Sequence, residues 1–584
     1  MREVRAPTSP HRIAGQLGSV VDEALRRAVD ERWAERIWER DVTLWSDDPA
    51  VGPLIAQRLG WLDAPAGFGE RVEELEAFAA GARSEGFEQA IVCGMGGSSL
   101  APEVLARSLP LAEQGIPVHV LDSTDPAAVA TVRDRYDPAR TLYLIATKSG
   151  TTTETLSFLA FFWQVVEEAH GGIPRSLPGE HFVAISDPGK SLEAIPHQEA
   201  FRSAFLNPPD VGGRYSALTY VGLVPGALQG IDLRALLEGG AAMAERCRRP
   251  GADNPGVELG VTLGALAREG RDKLTLLIDP AIASFGAWTE QLIAESTGKL
   301  GVGIVPVDAE PSGEPDVYGQ DRLFVRLAQQ RADGASSEWL GQTDRSLDDL
   351  AAAGHPVVDL TVEEREGLGG EFFRWEFATA IAGGVLGINP FDEPNVTESK
   401  DNTRRVLGEF RSTGRLPAAE PLAQEGQLTL YGDSALRLTA GGSGLGSELS
   451  RHLARVRPSG YVAIQAYLAA TPQRNTALVA LRRLVRDRTR RATTLGCGPR
   501  FLHSTGQLHK GGPRTGCFMQ LTADHPQDLP IPGEQETFGT LIDAQALGDF
   551  ASLEGHELPI VRVHLGSDPD AGLAALTSVL ERSL

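Results

Sequence analysis

Four short apolar runs, each followed by a turn and a helix-like stretch, constrain the fold of this chain more than any other feature. They are residues 89–97 (QAIVCGMGG), 117–125 (PVHVLDSTD), 141–150 (TLYLIATKSG) and 181–190 (HFVAISDPGK). Each run ends in small, polar or acidic residues, as parallel strands do where they pass into crossover helices. The pattern predicts a doubly wound α/β sheet, in which ligands bind beyond the carboxyl ends of the strands.

A similar alternation returns later in the chain, with helix-like residues 256–270 and strand-like residues 272–280 and 301–308. A Pro/Ala/Glu-rich stretch at 416–427 is typical of a linker, and the strand-like runs beyond it predict a separate α+β domain. We therefore expect an α/β fold with two doubly wound parallel-sheet domains, extended at both ends. The expected units are an N-terminal helical arm (1–65), a first domain (66–235), a second domain (236–415) and a C-terminal α+β domain (428–584).

The composition disfavours three classes of protein: nucleic-acid-binding, membrane-spanning and disulfide-rich proteins. The formal net charge of −23 disfavours nucleic-acid binding, because an acidic surface repels phosphate backbones. We find no apolar stretch of membrane-spanning length and no apolar signal core at the N-terminus, so we expect a cytoplasmic protein without membrane contact. The four cysteines lie far apart without CxxC spacing, which predicts neither a disulfide framework nor a metal site.

Two loops that follow predicted strands carry candidate ligand-binding residues. The first, residues 94–99 (GMGGSS), lets the backbone approach a ligand closely, although an ordinary strand-to-helix turn explains it equally well. The second, residues 147–155 (TKSGTTTET), gathers hydroxyls, one lysine and the amides of a helix start at one point. That combination predicts a cradle for a phosphate monoester, although the spacing of a P-loop is missing.

These loops resemble the sugar isomerase (SIS-type) domain of the glucose-6-phosphate isomerase family. Three later segments agree with the family in order: residues 211–216 (VGGRYS), 295–299 (ESTGK) and 389–400 (NPFDEPNVTESK). The resemblance covers roughly residues 40–410. In the last segment the family's usual Gln, Gly and Glu are replaced by Glu393, Asn395 and Thr397, so the carboxylate before the final lysine is displaced.

More narrowly, the chain is similar to the isomerase half of bacterial transaldolase–isomerase fusions, including residues 502–513 (LHSTGQLHKGGP). Nothing before residue 40 could form the transaldolase barrel, so we expect no transaldolase activity.

The resemblance implies reversible isomerisation of glucose 6-phosphate and fructose 6-phosphate through an enediol, without metal or organic cofactor. It implies that Glu295 moves the proton, Arg214 stabilises the enediolate and Lys400 assists ring opening. The residues that it assigns to the phosphate are Ser98, Thr147, Ser149, Thr151 and Thr152, with Gly96, Gly97 and Lys148 as weaker substrate contacts. The partner is then a small hexose phosphate, with a homodimer as one assembly that the family allows.

Two regions compete for the ring-opening histidine. His355 is the histidine between the ESTGK and NPFDE segments, where the family order places it. The rival region holds His503 and His509, with Gln507 and Lys510 as weaker substrate contacts. Either region is equally well explained as a structural turn. Two other functions stay open at this stage: a phosphosugar-binding regulator without turnover, and an isomerase of another hexose phosphate such as mannose 6-phosphate.

Overall fold

The computed structural model describes residues 11–169, 178–330, 338–362, 367–439, 441 and 444–584. Its strands form three sheets, and most neighbouring strands run parallel with helices between them. The prediction of an α/β fold is confirmed. In the described part of the chain, no helix has both the length and the apolar character needed to cross a bilayer.

The N-terminal region is helical apart from one two-residue strand. Its elements are β1 (His11–Arg12), α1 (Gly15–Asp30), α2 (Trp33–Trp38), α3 (Gly52–Ala56), α4 (Ala64–Gly69) and α5 (Val72–Ser84). Tryptophans fix this region to a later buried helix, Leu368–Leu386. Trp38 stacks on Phe373 with 5.9 Å between ring centroids, and the Trp45 indole donates a hydrogen bond of 2.8 Å to the Ala380 carbonyl.

The first sheet contains five parallel strands in the order β3-β2-β4-β5-β6. Its strands are β2 (Gln89–Gly94), β3 (Val118–Leu121), β4 (Thr141–Ala146), β5 (Phe182–Ser186) and β6 (Ser203–Leu206). Its helices are α6 (Leu100–Ser108), α7 (Pro126–Arg135), α8 (Thr153–Ala169), α9 (Lys190–Glu193) and α10 (Tyr220–Gln229). The four predicted runs supply β2 to β5, whereas β6 was not predicted.

The strand order of this sheet reverses between β2 and β4, which creates the crevice where doubly wound sheets bind ligands. Gly94 at the end of β2 is paired in register with Ala146 at the end of β4. The two predicted loops, 94–99 and 147–155, therefore leave the sheet side by side at its carboxyl edge.

The second sheet has the order β1-β10-β9-β7-β8, with β1 antiparallel to β10 and the others parallel. Its remaining elements are α11 (Leu233–Arg248), α12 (Pro255–Arg268), β7 (Lys273–Ile278), α13 (Phe285–Thr297), β8 (Val305–Val307), β9 (Arg322–Gln329), α14 (Glu338–Ala352), β10 (Val357–Val362), α15 (Leu368–Leu386) and α16 (Val396–Thr413). Helices α11 and α12 pack along α15, which is buried over almost its whole length.

The third sheet differs from the α+β prediction for the C-terminal part. Its order is β11-β12-β16-β15-β13-β14, and the last four strands are parallel. The elements are β11 (Ala423–Glu425), β12 (Leu428–Gly432), α17 (Ser434–Leu438), α18 (Leu445–Leu453), β13 (Tyr461–Ala466), α19 (Pro472–Thr489), β14 (Ala492–Cys497), α20 (Gly506–Gly511), β15 (Gly516–Thr522), α21 (Phe538–Gly555), β16 (Ile560–His564) and α22 (Pro569–Ser583). Helix α21, which was not predicted, makes the crossover from β15 to β16, so this unit is α/β with an antiparallel hairpin at one edge.

Candidate active site

A cleft of about 440 Å³ opens beside the loops that follow β2 and β4. The residues that line it include Arg58, Gly97, Ser98, Lys148, Ser149, Thr152, Asp187, Arg214, Gln291, Glu295, Glu393, Lys400 and His503. All three sheets contribute, because α13 supplies Glu295 and the segment after β14 supplies His503. The cleft therefore brings together side chains that lie far apart in the sequence.

The Gly-rich loop after β2 is shaped by close contacts within the protein. Gly96 has a positive φ of 54°, and a Cβ atom there would lie 2.5 Å from the His503 carbonyl oxygen. A Cβ atom on Gly97 would lie 2.3 Å from the carbonyl oxygen of Gly213, the residue before Arg214. The glycines thus allow the C-terminal unit and the arginine turn to approach this loop, while Gly97 and Ser98 also line the cleft.

The hydroxyl-rich loop after β4 presents only some of its side chains to the cleft. Ser149 and Thr152 line it, and α8 begins at the next residue, Thr153. Thr147 is buried behind Thr152, with 3.0 Å between their hydroxyl oxygens. Thr151 faces an adjoining smaller pocket and lies 3.0 Å from the Ser149 hydroxyl. Thr147 therefore supports Thr152 from behind, whereas Ser149 and Thr151 are both exposed and contact each other.

Lys148 lines the same cleft, but its charge is already paired. The ammonium lies 2.5 Å from Asp187 Oδ2 and donates a second hydrogen bond of 3.2 Å to the Pro209 carbonyl. This pairing reduces the positive charge that Lys148 can offer to a ligand in the cleft.

Arg214 is the most extensively bonded side chain of the cleft. It sits in a short 3-10 turn, Gly213–Tyr215, and its guanidinium is buried. Nη1 donates to Glu295 Oε1 and Glu393 Oε2, each at 3.1 Å. Burial alone would lower the pKa of Arg214, but these two carboxylates outweigh it and raise the pKa above its ordinary value. The cation is permanent.

Glu295 lies in the last turn of α13, with its side chain 11% exposed. Burial raises the pKa of this carboxyl, Arg214 opposes the rise, and the nearby Glu393 adds to it. Gln291, one helical turn earlier, donates a hydrogen bond of 3.0 Å to Glu295 Oε2 and another of 2.7 Å to the His503 carbonyl. A buried carboxylate with a raised pKa and fixed orientation is suited to proton transfer.

Lys400 and His503 complete the walls of the cleft. Lys400 is exposed in the second turn of α16. The His503 Nε2 atom lies 2.8 Å from Glu154 Oε1, and Glu154 is buried at the start of α8. Burial would raise the pKa of Glu154, but His503 outweighs it and the pKa is lowered, so this carboxylate stays charged beside the imidazole.

The position of His503 follows from the way the C-terminal unit is anchored. His503 ends a 3-10 turn that begins at Arg500. The Arg500 guanidinium lies 2.6 Å from Asp122 and 2.7 Å from Glu103, both in the first sheet unit. Gln545 of α21 donates a hydrogen bond of 2.7 Å to Glu154. These contacts cross between units and hold the histidine against the cleft.

Neither His355 nor His509, the two histidines expected to open the ring, lies in the cleft. His355 lies just before β10, with its ring edge-on to Phe324 at 5.4 Å between centroids, outside the cleft. His509 is buried inside the C-terminal unit, 5.0 Å from the Phe518 ring centroid. Burial lowers the pKa of both imidazoles. Both rings pack against aromatic side chains away from the cleft.

Gln507 and Lys510 likewise do not line the cleft. The Gln507 amide donates to the Gly298 carbonyl and to Asn395 Oδ1, each at 2.9 Å, which joins the C-terminal unit to the two family segments. The Lys510 ammonium forms a buried ion pair of 2.8 Å with Asp549. Both side chains are therefore held by partners inside the protein and lie outside the cleft, where the sequence predicted a contact with substrate.

Sequence reasoning did not select Gln291, Glu154, Asp187 or Gln545. Gln291 had a local signal, since it precedes Glu295 by four residues and so shares its helix face. Glu154 stood inside the TKSGTTTET segment without being singled out. Gln545 lies on a helix in the C-terminal unit, and nothing in its neighbours along the chain indicates a contact with Glu154.

Comparison with known proteins agrees with the motifs. The family model described as phosphoglucose isomerase matches residues 39–321. A glucose-6-phosphate isomerase of Rubrobacter xylanophilus is 31% identical over 405 residues, which cover 62% of this chain and 91% of that protein. One from Thermus thermophilus is 29% identical over 388 residues, which cover 60% of this chain and 90% of that protein.

Two crystal structures have a similar fold. Hypothetical protein TT0462 from Thermus thermophilus superimposes with a TM-score of 0.57 and 25% identity, covering 68% of this chain and 99% of that one. A glucose-6-phosphate isomerase from Chlamydia trachomatis gives a TM-score of 0.51 and 21% identity, covering 65% of this chain and 78% of that one. With 31% identity over nine tenths of the Rubrobacter relative, this chain belongs to the glucose-6-phosphate isomerase family.

Proposed function

We propose that this protein interconverts glucose 6-phosphate and fructose 6-phosphate by moving a proton between C1 and C2 of the open sugar. The observation that carries the proposal is the shared cleft, in which a buried carboxylate, Glu295, and a permanent cation, Arg214, lie together with the hydroxyl-rich loop at the start of α8. The names of the related proteins supply glucose 6-phosphate, and moving its carbonyl from C1 to C2 gives fructose 6-phosphate as the second substrate.

The phosphate end of the substrate is assigned to Ser98, Ser149 and Thr152. Hydroxyl donors beside a helix N-terminus suit a phosphate dianion, because the helix dipole and hydrogen bonds both favour negative charge there. Thr147 acts one layer behind, through its contact with Thr152, and the exposed Thr151 contacts Ser149 at the edge of the cleft.

Proton transfer is assigned to Glu295. Its carboxylate removes a proton from C2 of glucose 6-phosphate, or from C1 of fructose 6-phosphate, and returns it to the neighbouring carbon. A base of this kind works best when its pKa lies near the working pH, and burial moves the pKa of Glu295 in that direction. Arg214 stabilises the negative charge that develops on the enediolate oxygens.

Ring opening requires a group that gives a proton to the ring oxygen and one that takes a proton from the C1 or C2 hydroxyl. His503 is the cleft histidine available for this step, and Glu154 fixes its imidazole at 2.8 Å. The exposed ammonium of Lys400 lies in the same cleft and serves the ring oxygen. This assignment chooses the C-terminal region of the two predicted alternatives, with His503 as the ring-opening histidine.

The test is a coupled assay that follows glucose 6-phosphate formed from fructose 6-phosphate. Glu295→Gln should lower kcat by about 10²–10⁴-fold with little change in substrate binding, the usual scale for a positioned acid–base group. Glu113→Gln, an exposed position between α6 and β3, is the matched control and should keep full turnover. Tight binding of sugar phosphate without turnover in the wild-type protein would instead indicate a regulator. Turnover of mannose 6-phosphate alone would indicate a different epimer specificity.

A further inference from the structure

We propose that Glu393 is an exchangeable anionic ligand of Arg214, which holds the guanidinium before the sugar binds and is displaced by the enediolate during catalysis. The inference rests on the proposed isomerase function and deepens it, because it assigns a role to a carboxylate that the reaction as described above does not use. The inference concerns which anion accepts the hydrogen bond from Arg214 Nη1.

The hydrogen bonds of Arg214 account for all of its donors. A guanidinium has five N–H groups. Nε donates to the Ser296 hydroxyl at 2.7 Å, and Nη2 donates to the carbonyls of Pro390 and Asp392 at 2.8 and 3.0 Å. Nη1 uses its two hydrogens on Glu295 and Glu393. A new anion can therefore reach Arg214 only when one existing partner withdraws.

The partners differ in how easily they can leave. Ser296 is fully buried, and the carbonyls of Pro390 and Asp392 belong to the backbone. The Glu295 side chain is 11% exposed and has its second oxygen bound by Gln291.

Glu393 is the exception among these partners. Its side chain is 37% exposed, and within the described residues Arg214 is the side chain that hydrogen-bonds its carboxylate. Glu393 also lies in the turn before α16, where its own rotatable bonds allow it to swing into solvent without moving a helix.

Glu393 competes as a full charge. Burial would raise the pKa of this carboxyl, but Arg214 outweighs it and lowers the pKa, with Arg58 and Lys299 acting in the same direction. An enediolate that reaches Nη1 meets Glu393 as a neighbouring negative charge unless the carboxylate withdraws. Lys148 also lines the cleft, but it is paired with Asp187 and so does not neutralise Glu393.

The discriminating probe is a phosphorylated five-carbon hydroxamate, whose two neighbouring oxygens imitate those of the enediolate. Glu393→Gln keeps the shape of the side chain and removes its charge. We expect this variant to bind the hydroxamate about 5–30-fold more tightly by calorimetry, the scale of one unit charge removed from a partly exposed site. The KM for fructose 6-phosphate should change less, because the reacting end of the ground-state sugar is uncharged.

Two further variants separate displacement from a general charge effect. Asp392→Asn removes the same charge from the adjacent residue, whose carboxylate contacts Lys299 at 2.7 Å and not Arg214. This variant should change hydroxamate affinity by less than about twofold. In an Arg214→Lys background, which lacks the forked donors, the gain from Glu393→Gln should disappear.

Unchanged or weaker hydroxamate binding by Glu393→Gln, with a normal circular dichroism spectrum, would overturn the inference. An equal gain from Asp392→Asn would also overturn it, because bulk charge would then explain the effect. Neither result touches the isomerase proposal, which fails only if the wild-type protein does not turn over hexose phosphate. If Glu393→Gln does not fold, Glu393→Ala gives the same comparison.

Discussion

Replacing Lys510 by methionine tests whether this residue is structural or binds substrate. The Lys510 and Asp549 side chains are 1% and 0% exposed, and the ion pair between them spans 2.8 Å. Methionine fills a similar volume without the charge, so Asp549 is left buried with the amides of Gln465 at 3.1 Å and Gln520 at 3.3 Å.

The magnitude follows from this geometry. Breaking one partner out of a buried ion pair usually destabilises a protein by about 3–5 kcal/mol. The two remaining amide donors solvate part of the Asp549 charge, so we expect a loss near the lower end, about 3 kcal/mol. The double variant Lys510→Met/Asp549→Leu removes the orphaned charge but leaves the buried amides of Gln465 and Gln520 without this acceptor, so it should recover only part of the loss.

Hydrogen exchange followed by mass spectrometry is the appropriate assay, because tryptophan is absent from residues 428–584 and its fluorescence cannot report on this unit. Amides of β15 should exchange faster by about 10²-fold in Lys510→Met, since about 1.4 kcal/mol corresponds to each factor of ten. Lys190→Met, at the exposed start of α9, is the control. Unchanged exchange together with a raised KM for fructose 6-phosphate would refute the reasoning and return Lys510 to the substrate.

Three other predictions concern the cleft. Glu295 must be deprotonated to act and its pKa is raised, so the acid limb of the kcat/KM pH–rate profile should lie at a higher pH than for an ordinary glutamate. Because the charge of Glu393 contributes to this raised pKa, Glu393→Gln should move the acid limb to lower pH. His503→Ala should lower kcat by about 10²-fold or more while His355→Ala leaves it unchanged, and equal effects in the coupled assay would contradict the assignment. Thr152→Val should raise KM by about fivefold or more with kcat retained, and an unchanged KM would count against the phosphate cradle.

Strands β2 to β5 of the first sheet could be predicted because they are short apolar runs, and β2, β4 and β5 are buried over almost their whole length. Strand β9 could not, since Arg322 and Arg326 interrupt its apolar pattern. In the structure both are buried as ion pairs, with Glu310 at 2.9 Å and Asp359 at 2.6 Å. Helix α21 was missed for the opposite reason, because it is buried on most of its circumference and shows no amphipathic period.

The residues of the candidate site likewise fall into those that the sequence could predict and those that it could not. The hydroxyl-rich loop, Arg214 and Glu295 stand in local motifs, so spacing along the chain was enough to find them. The choice among His355, His503 and His509 depends on which part of the C-terminal unit faces the first sheet. That orientation is set by contacts between distant residues, such as Arg500 with Asp122, and no local pattern encodes it.

Because His503 reaches the cleft from the same polypeptide that carries Glu295 and Arg214, the groups proposed for each chemical step are covalently tethered. Specific activity should then stay constant when the enzyme is diluted to nanomolar concentration, since no encounter between chains is needed to bring the histidine into place. Dependence on a histidine from the C-terminal unit also has a disadvantage. A substitution that weakens the packing of residues 428–584 against the rest of the chain should abolish turnover before it unfolds either of the first two sheets.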